Sequence, residues 1–310
     1  MPVSYTHLSY DYLVISAGSK PTYFGVSGAD QFAHKLWSYE DAVSLKEHIH
    51  TCFRKACMET DEEEKRKLLT FYVVGAGFTG VEMIGELAEY VPVLCEKYEI
   101  DRNLVTLCNV DVLERAVPNL PEKLSAKVEK RLKKMGVDVL LGTSVVAVGE
   151  DFIEFNKNGA LERIPAETVI WAAGIEGCDI TERAAKQLES AGRGRLKVDP
   201  YLRAEGHKDV FVVGDNLFYI PVGEEAPVPQ TVENCEHSAK TAAHNLICEV
   251  GGIEDLEEYQ PKFHGLMVCI GGRYGVARAG TAKHMILSLI HIYNDDVQKV
   301  YHNCTVELED

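Results

Sequence analysis

The residues with the clearest chemical meaning are three glycines, Gly75, Gly77 and Gly80, spaced as G-x-G-x-x-G. An apolar run at 71–74 precedes them, and a helix-forming run at 81–89 follows. Between a strand and a helix, this spacing predicts a turn that binds dinucleotide phosphates. The first glycine permits the tight turn, the second lets the backbone approach a pyrophosphate, and the third lets helix and strand pack closely. The helix N-terminus adds free N–H groups and a positive dipole end.

Other apolar runs also end in glycine. They lie at 13–17 before Gly18, at 169–173 before Gly174 and at 210–213 before Gly214. Continuous apolar runs are typical of parallel strands that are buried on both faces. A glycine at the carboxyl end of such a strand lets another backbone or a ligand come close. We therefore expect binding residues at each of these strand ends.

Composition excludes several classes of function. The 310 residues carry a formal net charge of −16, which argues against nucleic-acid binding and against attraction to an anionic membrane surface. No stretch approaches the roughly 20 apolar residues of a membrane span. The nine cysteines have no metal-ligand spacing, and no metal site is expected.

Cys52 and Cys57 have the spacing of a redox disulfide pair, but the helical pattern around them argues against a disulfide. They fall within 38–58, where Ser38 and Asp41 resemble a capping box and the apolar residues recur with helical period. Residues five apart on a helix point in different directions, so a disulfide there has poor geometry. The pair is interpreted as two reduced thiols.

The order of elements predicts an α/β protein with two Rossmann-like dinucleotide-binding domains, one inserted into the other. The inserted domain spans 69–176: strand 71–74 and its helix, strand 104–108, a helix near 121–135, strand 137–141, and an antiparallel meander at 144–148 and 152–155. The outer domain combines 9–68 with 177–285. The charged run 59–67 is expected to be a solvated connection.

This ordered set of motifs resembles the FAD-dependent pyridine nucleotide oxidoreductases, and within them the type II NADH dehydrogenases. The resemblance rests on 10–19, 75–82, 169–174, 210–215, 229–233 and 271–277. It implies the cofactors FAD and NADH, hydride transfer from NADH to FAD, and electron transfer to quinone. It also implies a cytoplasmic enzyme, or one on the cytoplasmic face of the membrane as a peripheral protein, and it allows a homodimer.

The resemblance implies two sets of cofactor-binding residues. The NADH domain would supply Gly75, Gly77, Phe78, Thr79, Gly80, Asp111, Ala173 and Gly174. The incomplete FAD domain would supply Gly18, Gly214, Asp215, Thr231 and Val232, with Asp215 accepting a hydrogen bond from a ribityl hydroxyl. Thr231 would open a helix whose positive dipole end faces the flavin pyrimidine ring. A turn-forming Asp215 and a helix that simply packs on the sheet are the structural alternatives.

Asp111, seven residues before Pro118, matches the family's acidic ribose-binding position. A carboxylate there favours NADH over NADPH, because it accepts bonds from the ribose hydroxyls and repels a 2′-phosphate. Its separation from the glycines exceeds the usual ~20 residues, owing to an insert at 92–102. An exposed loop aspartate, or phosphate binding by nearby Arg115, are the alternatives.

Three residues are candidates for catalysis. Glu82 resembles the family acid placed between nicotinamide and flavin, although with Glu86 and Glu89 it also fits a solvated helix face. Glu233 and His237 stand where quinone-reducing relatives usually carry two glutamines. An acid and a histidine there would gate protons to quinone or indicate another acceptor. An NADH oxidase, a ferredoxin or rubredoxin reductase, a sulfide:quinone reductase, or a non-catalytic NADH-binding protein are therefore alternatives.

Both ends of the chain depart from the family. Residues 1–8 and a run within 286–310 resemble translated foreign sequence, and we do not expect them to belong to the fold. The family's first glycine-rich unit, which holds the ADP half of FAD, has no counterpart before Tyr10. Its membrane-seating helices have none after Met285. We therefore expect a fragment of an enzyme that holds FAD weakly or not at all.

Overall fold

A computed structural model describes residues 8–157, 159–272 and 274–279, and the backbone of 282–287. The two suspected foreign segments lie outside this range, apart from Leu8 and the backbone of 286–287. The chain forms two compact units. The nucleotide unit comprises Pro21–Gly174 and the described residues from His264, and the second unit comprises 8–20 with Ile175–Phe263.

The helices are numbered in chain order. They are α1 Ala29–Phe32, α2 Tyr39–Met58, α3 Glu62–Leu68, α4 Phe78–Tyr98, α5 Glu122–Lys134, α6 Asp179–Ala184 and α7 Val232–Gly251, with 3₁₀ turns at Arg102–Leu104 and Gly214–Asn216.

The strands of the first half are β1 Leu13–Ile15, β2 Ser19–Pro21, β3 His34–Lys35, β4 Thr70–Val74, β5 Thr106–Val110, β6 Asp138–Leu140, β7 Ser144–Val148, β8 Phe152–Lys157 and β9 Ala160–Pro165. Those that follow are β10 Thr168–Trp171, β11 Ile175–Gly177, β12 Ser190–Gly192, β13 Arg195–Lys197, β14 Val210–Val212, β15 Leu217–Phe218, β16 Gly265–Cys269, β17 Gly275–Ala279 and β18 Ala282–Leu287.

The nucleotide unit is built on a five-stranded parallel sheet in the order β3-β10-β4-β5-β6. All residues of β4 are buried, which agrees with the expectation for a parallel strand covered on both faces. One face packs against α2, α4 and α5, with Phe53, Phe71 and Leu124 among its fully buried side chains. The other face is covered by the antiparallel sheet β7-β8-β9. The predicted α/β class is confirmed.

Local sequence patterns predicted most of the helix and strand boundaries correctly. Ser38 and Asp41 form the predicted capping box at the start of α2. The strand predicted at 104–108 begins two residues later, because 102–104 form a 3₁₀ turn. The insert expected at 92–102 is helical through Tyr98, with Pro92 inside α4. The charged run 59–67 contains α3, which Asp61 caps.

The second unit holds a smaller set of strands around its own core. β1 pairs with β14 in parallel, β13 joins β12 to β15, and α7 packs beside them. Leu196, Phe211 and Tyr259 are among its buried side chains. Both strand-then-glycine runs of this unit therefore end at neighbouring positions of one sheet edge.

The compact units divide the chain differently from the expected domains. Residues 21–68, expected in the outer domain, belong to the nucleotide unit, because Phe53 of α2 packs against Phe71 of β4. The hairpin β16–β17 also belongs there, because Gly85 of α4 and Gly271 of its turn meet backbone to backbone. Helix packing, which sequence order does not reveal, sets both assignments.

A histidine pair gives the nucleotide unit a pH-dependent stability. The rings of His34 and His48 lie 4.1 Å apart, and His48 Nε2 lies 2.9 Å from Thr168 Oγ1. Burial, with a smaller effect of His48, lowers the pKa of His34 from 6.5 to about 4. The folded state therefore binds fewer protons than the unfolded state between these two values.

We expect the free energy of unfolding to fall as the pH is lowered from about 6.5 towards 4, because His34 must be protonated on unfolding. His34→Phe keeps an aromatic ring against His48 but takes no proton, so its stability should depend less on pH. Urea unfolding at several pH values measures this. His207→Phe at an exposed position is the control, and equal slopes for the two variants would contradict the expectation.

Candidate functional site

The turn between β4 and α4 is too tight for side chains at two of its glycines. Gly75 has a φ of +105°, and a Cβ there would lie 2.5 Å from the carbonyl oxygen of Ala172. A Cβ on Gly80 would overlap the carbonyl oxygen of Gly75. Gly77 differs, because a Cβ there would meet no atom within 4 Å. The open space therefore lies on the side of the turn where Gly77 begins the helix.

Helix α4 starts at this open space. Gly77 is its N-cap residue and has no side chain with which to cap the helix. The N–H of Val81 donates to the Gly77 carbonyl at 3.0 Å, so Phe78, Thr79 and Gly80 form the first turn. First-turn N–H groups have no intrahelical acceptor, and they favour an anion.

Residues 109–117 form hydrogen bonds to the backbone of this turn. Gly75 N–H donates to Val110 O at 2.8 Å, and Gly75 O accepts from Asn109 Nδ2 at 2.9 Å. Ala76 N–H donates to Asp111 Oδ2 at 2.6 Å, and Ala76 O accepts from Val117 N–H at 2.7 Å. The N–H and C=O groups of both turn residues are therefore bonded to one segment.

Sequence analysis missed Asn109 and Val117. Asn109 is fully buried in β5, and an amide within the otherwise apolar run 107–110 was a signal that could have found it. Val117 has a φ of +44°, a strained value for a β-branched residue, and nothing in the sequence indicates it.

Asp111 directly follows β5, and both of its carboxylate oxygens accept hydrogen bonds. Oδ2 accepts from Ala76 N–H, and Oδ1 accepts from Leu113 N–H at 2.8 Å. It is therefore not a loosely attached loop aspartate. Each carboxylate oxygen has a second lone pair that can accept a further bond. Arg115 instead donates to the Pro118 carbonyl at 2.9 Å.

Ala173 and Gly174 lie beside the same turn. The position of a Gly75 Cβ would be 2.8 Å from Ala173 Cα. Gly174 has a φ of +151°, and its carbonyl accepts from Thr22 N–H at 3.1 Å. The carboxyl ends of β4, β5 and β10 thus meet at one sheet edge, as the motif order predicted.

Glu82 is half-buried one turn into α4, and its Oε1 accepts from Cys269 N–H of β16 at 3.0 Å. Burial raises its pKa, the bond from Cys269 lowers it, and the charge of Glu86 raises it. Glu89 differs from Glu82, since it is exposed and pairs with Arg131 at 3.0 Å. The interpretation of Glu82 as part of a solvated helix face does not describe its environment.

In the second unit, Gly18 and Asp215 lie at neighbouring strand ends. Gly18 N–H donates to Asn216 Oδ1 at 2.8 Å, and Ser19 Oγ donates to Asp215 Oδ2 at 2.7 Å. A Cβ on Gly18 would meet no atom within 4 Å, so open space lies beside it. Ser19 and Asn216 were not predicted, although both adjoin predicted residues.

Helix α7 approaches the same strand ends. Thr231 caps it by accepting from Asn234 N–H at 3.4 Å. Gly214 N–H donates to Ser238 Oγ at 3.0 Å, and Gly214 O accepts from Asn234 Nδ2 at 3.2 Å. Asn234 and Ser238 are fully buried, and sequence analysis did not assign them a role.

The remaining predicted residues lie on the first turns of α7. Val232 is 74% exposed, and Glu233 is half-buried. His237, one turn further, accepts from Lys262 N–H through Nδ1 at 3.5 Å. The structure thus places Gly18, Gly214, Asp215, Thr231 and Glu233 in one unit, and the glycine turn with Glu82 and Asp111 in the other.

Cys52 and Cys57 are free thiols on α2. Burial raises the pKa of Cys52 to about 11, so it is neutral at physiological pH. Within the described part of the chain, no group of His, Cys, Asp or Glu residues has the arrangement of a metal site. The helices of that part are not long and apolar enough to cross a membrane.

Comparison with known proteins identifies the family to which this chain belongs. The sequence profile described as pyridine nucleotide-disulphide oxidoreductase matches residues 3–239. The chain belongs to this family. Curated members include type II NADH:quinone oxidoreductases of Staphylococcus haemolyticus, 35% identical over 76% of this chain, and of Staphylococcus saprophyticus, 31% identical over 86%. The resemblance inferred from the motifs is confirmed. The chain spans 59% and 65% of the lengths of these two relatives.

Solved structures of other oxidoreductases share the fold. NDH2 from Plasmodium falciparum in complex with NADH has a TM-score of 0.81 at 19% identity, covering 90% of this chain and 71% of that one. The water-forming NADH oxidase of Lactobacillus brevis has a TM-score of 0.57 at 19% identity, covering 87% and 52%. At these identities the likeness establishes the fold alone.

Gly80 and Gly77 should respond differently to the same substitution. Gly80→Ala forces a methyl group onto the Gly75 carbonyl, and we expect a loss of about 3 kcal/mol or more in the free energy of unfolding. Gly77→Ala places its methyl group in open space at an ordinary φ of −75° and should change stability little. Urea unfolding of both variants measures the difference. Equal losses would show that the turn is not held as described.

Proposed function

We propose that this chain is the NADH-binding and flavin-facing part of an oxidoreductase that transfers hydride from NADH to FAD and electrons to quinone. The observation that carries the proposal is the start of α4, where Gly77 leaves the helix uncapped beside open space and the turn before it is fixed. The names of its curated family members support the acceptor.

On the NADH side, the first-turn N–H groups of Phe78, Thr79 and Gly80 would bind the pyrophosphate. The lone pairs of Asp111 that remain after its two backbone bonds would accept the adenosine ribose hydroxyls. Its negative charge would disfavour a 2′-phosphate. Ala173 and Gly174, at the end of the neighbouring strand, would line the path towards the nicotinamide.

Glu82 would act beside the reacting end of the dinucleotide. Its carboxyl lies one turn from the phosphate-binding N-terminus, and burial raises its pKa. Such a group holds a proton to higher pH than an exposed glutamate, which suits a proton relay or a hydrogen bond to the carboxamide. The Cys269 N–H, bonded to Oε1, fixes its direction.

The residues on the flavin side fit the ribityl and pyrimidine parts of FAD. Open space lies beside Gly18, and Asp215 is oriented by Ser19 while retaining acceptor capacity. The N-terminus of α7, at Thr231 and Val232, presents a positive dipole end. When bound, FAD supplies hydride acceptance and electron transfer, and the chain supplies position and electrostatics.

Quinone is the acceptor we favour, with Glu233 and His237 on α7 as the groups that would deliver protons to it. Peripheral attachment to the cytoplasmic face of the membrane, and a homodimer, are part of the same proposal. An NADH oxidase is the alternative within the family.

The test is a turnover assay with the purified 310-residue chain. Bound FAD is quantified first. NADH and NADPH are then titrated by fluorescence, and NADH oxidation is followed with added FAD, under argon with a soluble ubiquinone analogue and in air without it. We expect NADH to bind more tightly than NADPH, and quinone to support NADH oxidation.

Oxidation that needs oxygen and ignores quinone would favour the oxidase. No binding of either dinucleotide would overturn the whole proposal. Binding of NADH without turnover at saturating FAD would contradict the catalytic part and leave a binding protein.

Glu82→Gln tests the raised pKa of this carboxyl directly. Because the folded pKa lies above the unfolded value, ionisation of Glu82 destabilises the fold as the pH rises through this range. The variant cannot ionise, so we expect it to melt at a higher temperature than the wild type at pH 7.5, with a smaller difference at pH 4.5. It should also lose turnover while retaining NADH affinity. Glu89→Gln, on the exposed face, should change neither the melting temperature nor the turnover.

A further inference from the structure

We propose that Asn109 is a positioning residue for dinucleotide binding, through the two carbonyl groups that its side-chain amide holds at the end of β4. This rests on the proposed function, because it concerns the turn to which the dinucleotide would bind. Asn109 touches none of the reacting atoms and would act through the backbone of the turn.

The first observation is its bonding. Nδ2 donates to Val73 O at 3.0 Å and to Gly75 O at 2.9 Å, from a side chain that is fully buried. Val73 is the ladder partner of Asn109 in the β4–β5 pair, whereas Gly75 lies beyond the strand, where the ladder has ended. The Gly75 carbonyl belongs to the same peptide group as the Ala76 N–H, which donates to Asp111 Oδ2. Asn109 and Asp111 therefore together fix the direction of a carbonyl that the β4–β5 ladder does not bond.

The second observation is what the Gly75 carbonyl contacts. The position of a Cβ on Gly80 would overlap this oxygen, so it lies directly against the first turn of α4. Rotation of the Gly75 peptide would move the oxygen relative to the helix N-terminus. By holding the oxygen, Asn109 sets where the N–H groups of that first turn point.

The third observation is that the side-chain amide of Asn109 makes two bonds through Nδ2 and none through Oδ1. Its Oδ1 is buried and, among the described residues, is the side-chain N or O atom that lacks a hydrogen-bond partner. An unsatisfied buried acceptor reduces stability. An apolar residue, such as Leu107 on the same face of β5, would avoid that loss but would not bond the two carbonyl groups. The amide is therefore needed for these two bonds, and they give it a positional role.

The experiment compares Asn109→Leu, Asn109→Asp and the wild type by calorimetric titration with NAD⁺, which is stable in acid. Asn109→Leu removes the donor together with the unsatisfied acceptor and leaves the Gly75 carbonyl without its amide partner, so we expect a lower melting temperature but a retained fold. We expect NAD⁺ to bind at least 10-fold more weakly, because the turn loses its fixed carbonyl. Circular dichroism melting verifies the fold.

Asn109→Asp supplies a pH-dependent readout that a purely structural role would not produce. Ionised, the new carboxylate repels both carbonyl groups. Protonated, its O–H donates to one of them. The affinity of this variant for NAD⁺ should therefore rise towards the wild-type value as the pH falls from 8 to 5, while Asn109→Leu shows no such recovery. The wild type and Asn109→Leu also contain the neighbouring acids Asp111 and Glu129, so parallel measurement of all three proteins at each pH controls for them.

Asn245→Leu is the matched control. Asn245 is also fully buried, and its Nδ2 donates to the carbonyls of Tyr201 and Glu257 at 3.1 and 2.9 Å, in the other unit. Its replacement should lower the melting temperature without changing NAD⁺ affinity. Wild-type affinity in both Asn109 variants would overturn the inference. Absence of binding by the wild type itself would instead overturn the proposed function.

Discussion

Where a buried parallel strand ends, its last N–H and C=O groups leave the hydrogen-bond ladder while still shielded from water. Each such group must find a partner, or the fold loses stability. In this chain those partners come from segments distant in sequence. Residues 109–117 bond the groups of Gly75 and Ala76, and Asn216 bonds those of Gly18. Asn234 and Ser238 bond those of Gly214. The geometry of both predicted cofactor sites depends on this bonding.

The same constraint explains why the glycine motif by itself does not fix the turn, which also needs hydrogen-bond partners from distant segments. Gly75 and Gly80 leave no space for a side chain, because a Cβ at either position would lie 2.5 Å or less from a backbone carbonyl oxygen. Gly77 differs, since the space beside it is open. Gly75 and Gly80 thus shape the turn, and Gly77 leaves space beside the start of α4. A single sequence pattern therefore combines two physical requirements.

Charge is distributed unevenly around these turns. Glu82 and Asp111 both lie close to the start of α4, yet their environments differ. Asp111 accepts two backbone N–H bonds through its two oxygens, whereas Glu82 is half-buried and burial raises its pKa. One carboxyl group near the helix end is thus fixed by backbone bonds, and the other holds its proton to higher pH than an exposed glutamate. Cys269, from a hairpin nearly 190 residues further along, holds the second in place.

Much of the fold could be predicted because its signals are local. The capping box at Ser38, the glycine spacing at 75–80 and the apolar runs each act over a few residues, and the structure places elements where they indicate. The third strand of the meander, Ala160–Pro165, was not predicted, since its exposed positions carry no alternating apolar pattern. The assignment of α2 and of the β16–β17 hairpin to the nucleotide unit was also not predicted, because it depends on how helix surfaces pack.

The residues of the candidate site also fall into two groups, those that the sequence indicated and those that only the packed structure revealed. The amino-acid sequence by itself indicated the candidate residues: the glycines, Glu82 and Asp111 in the nucleotide unit, and Asp215 and Thr231 in the second unit. Only the tertiary structure decided which groups hold them, namely Asn109, Val117, Ser19 and the Cys269 amide. The physical reason is that a hydrogen bond to a backbone carbonyl or N–H requires no particular residue type on one side. Such a bond leaves little trace in a sequence and exists only once distant segments are packed together.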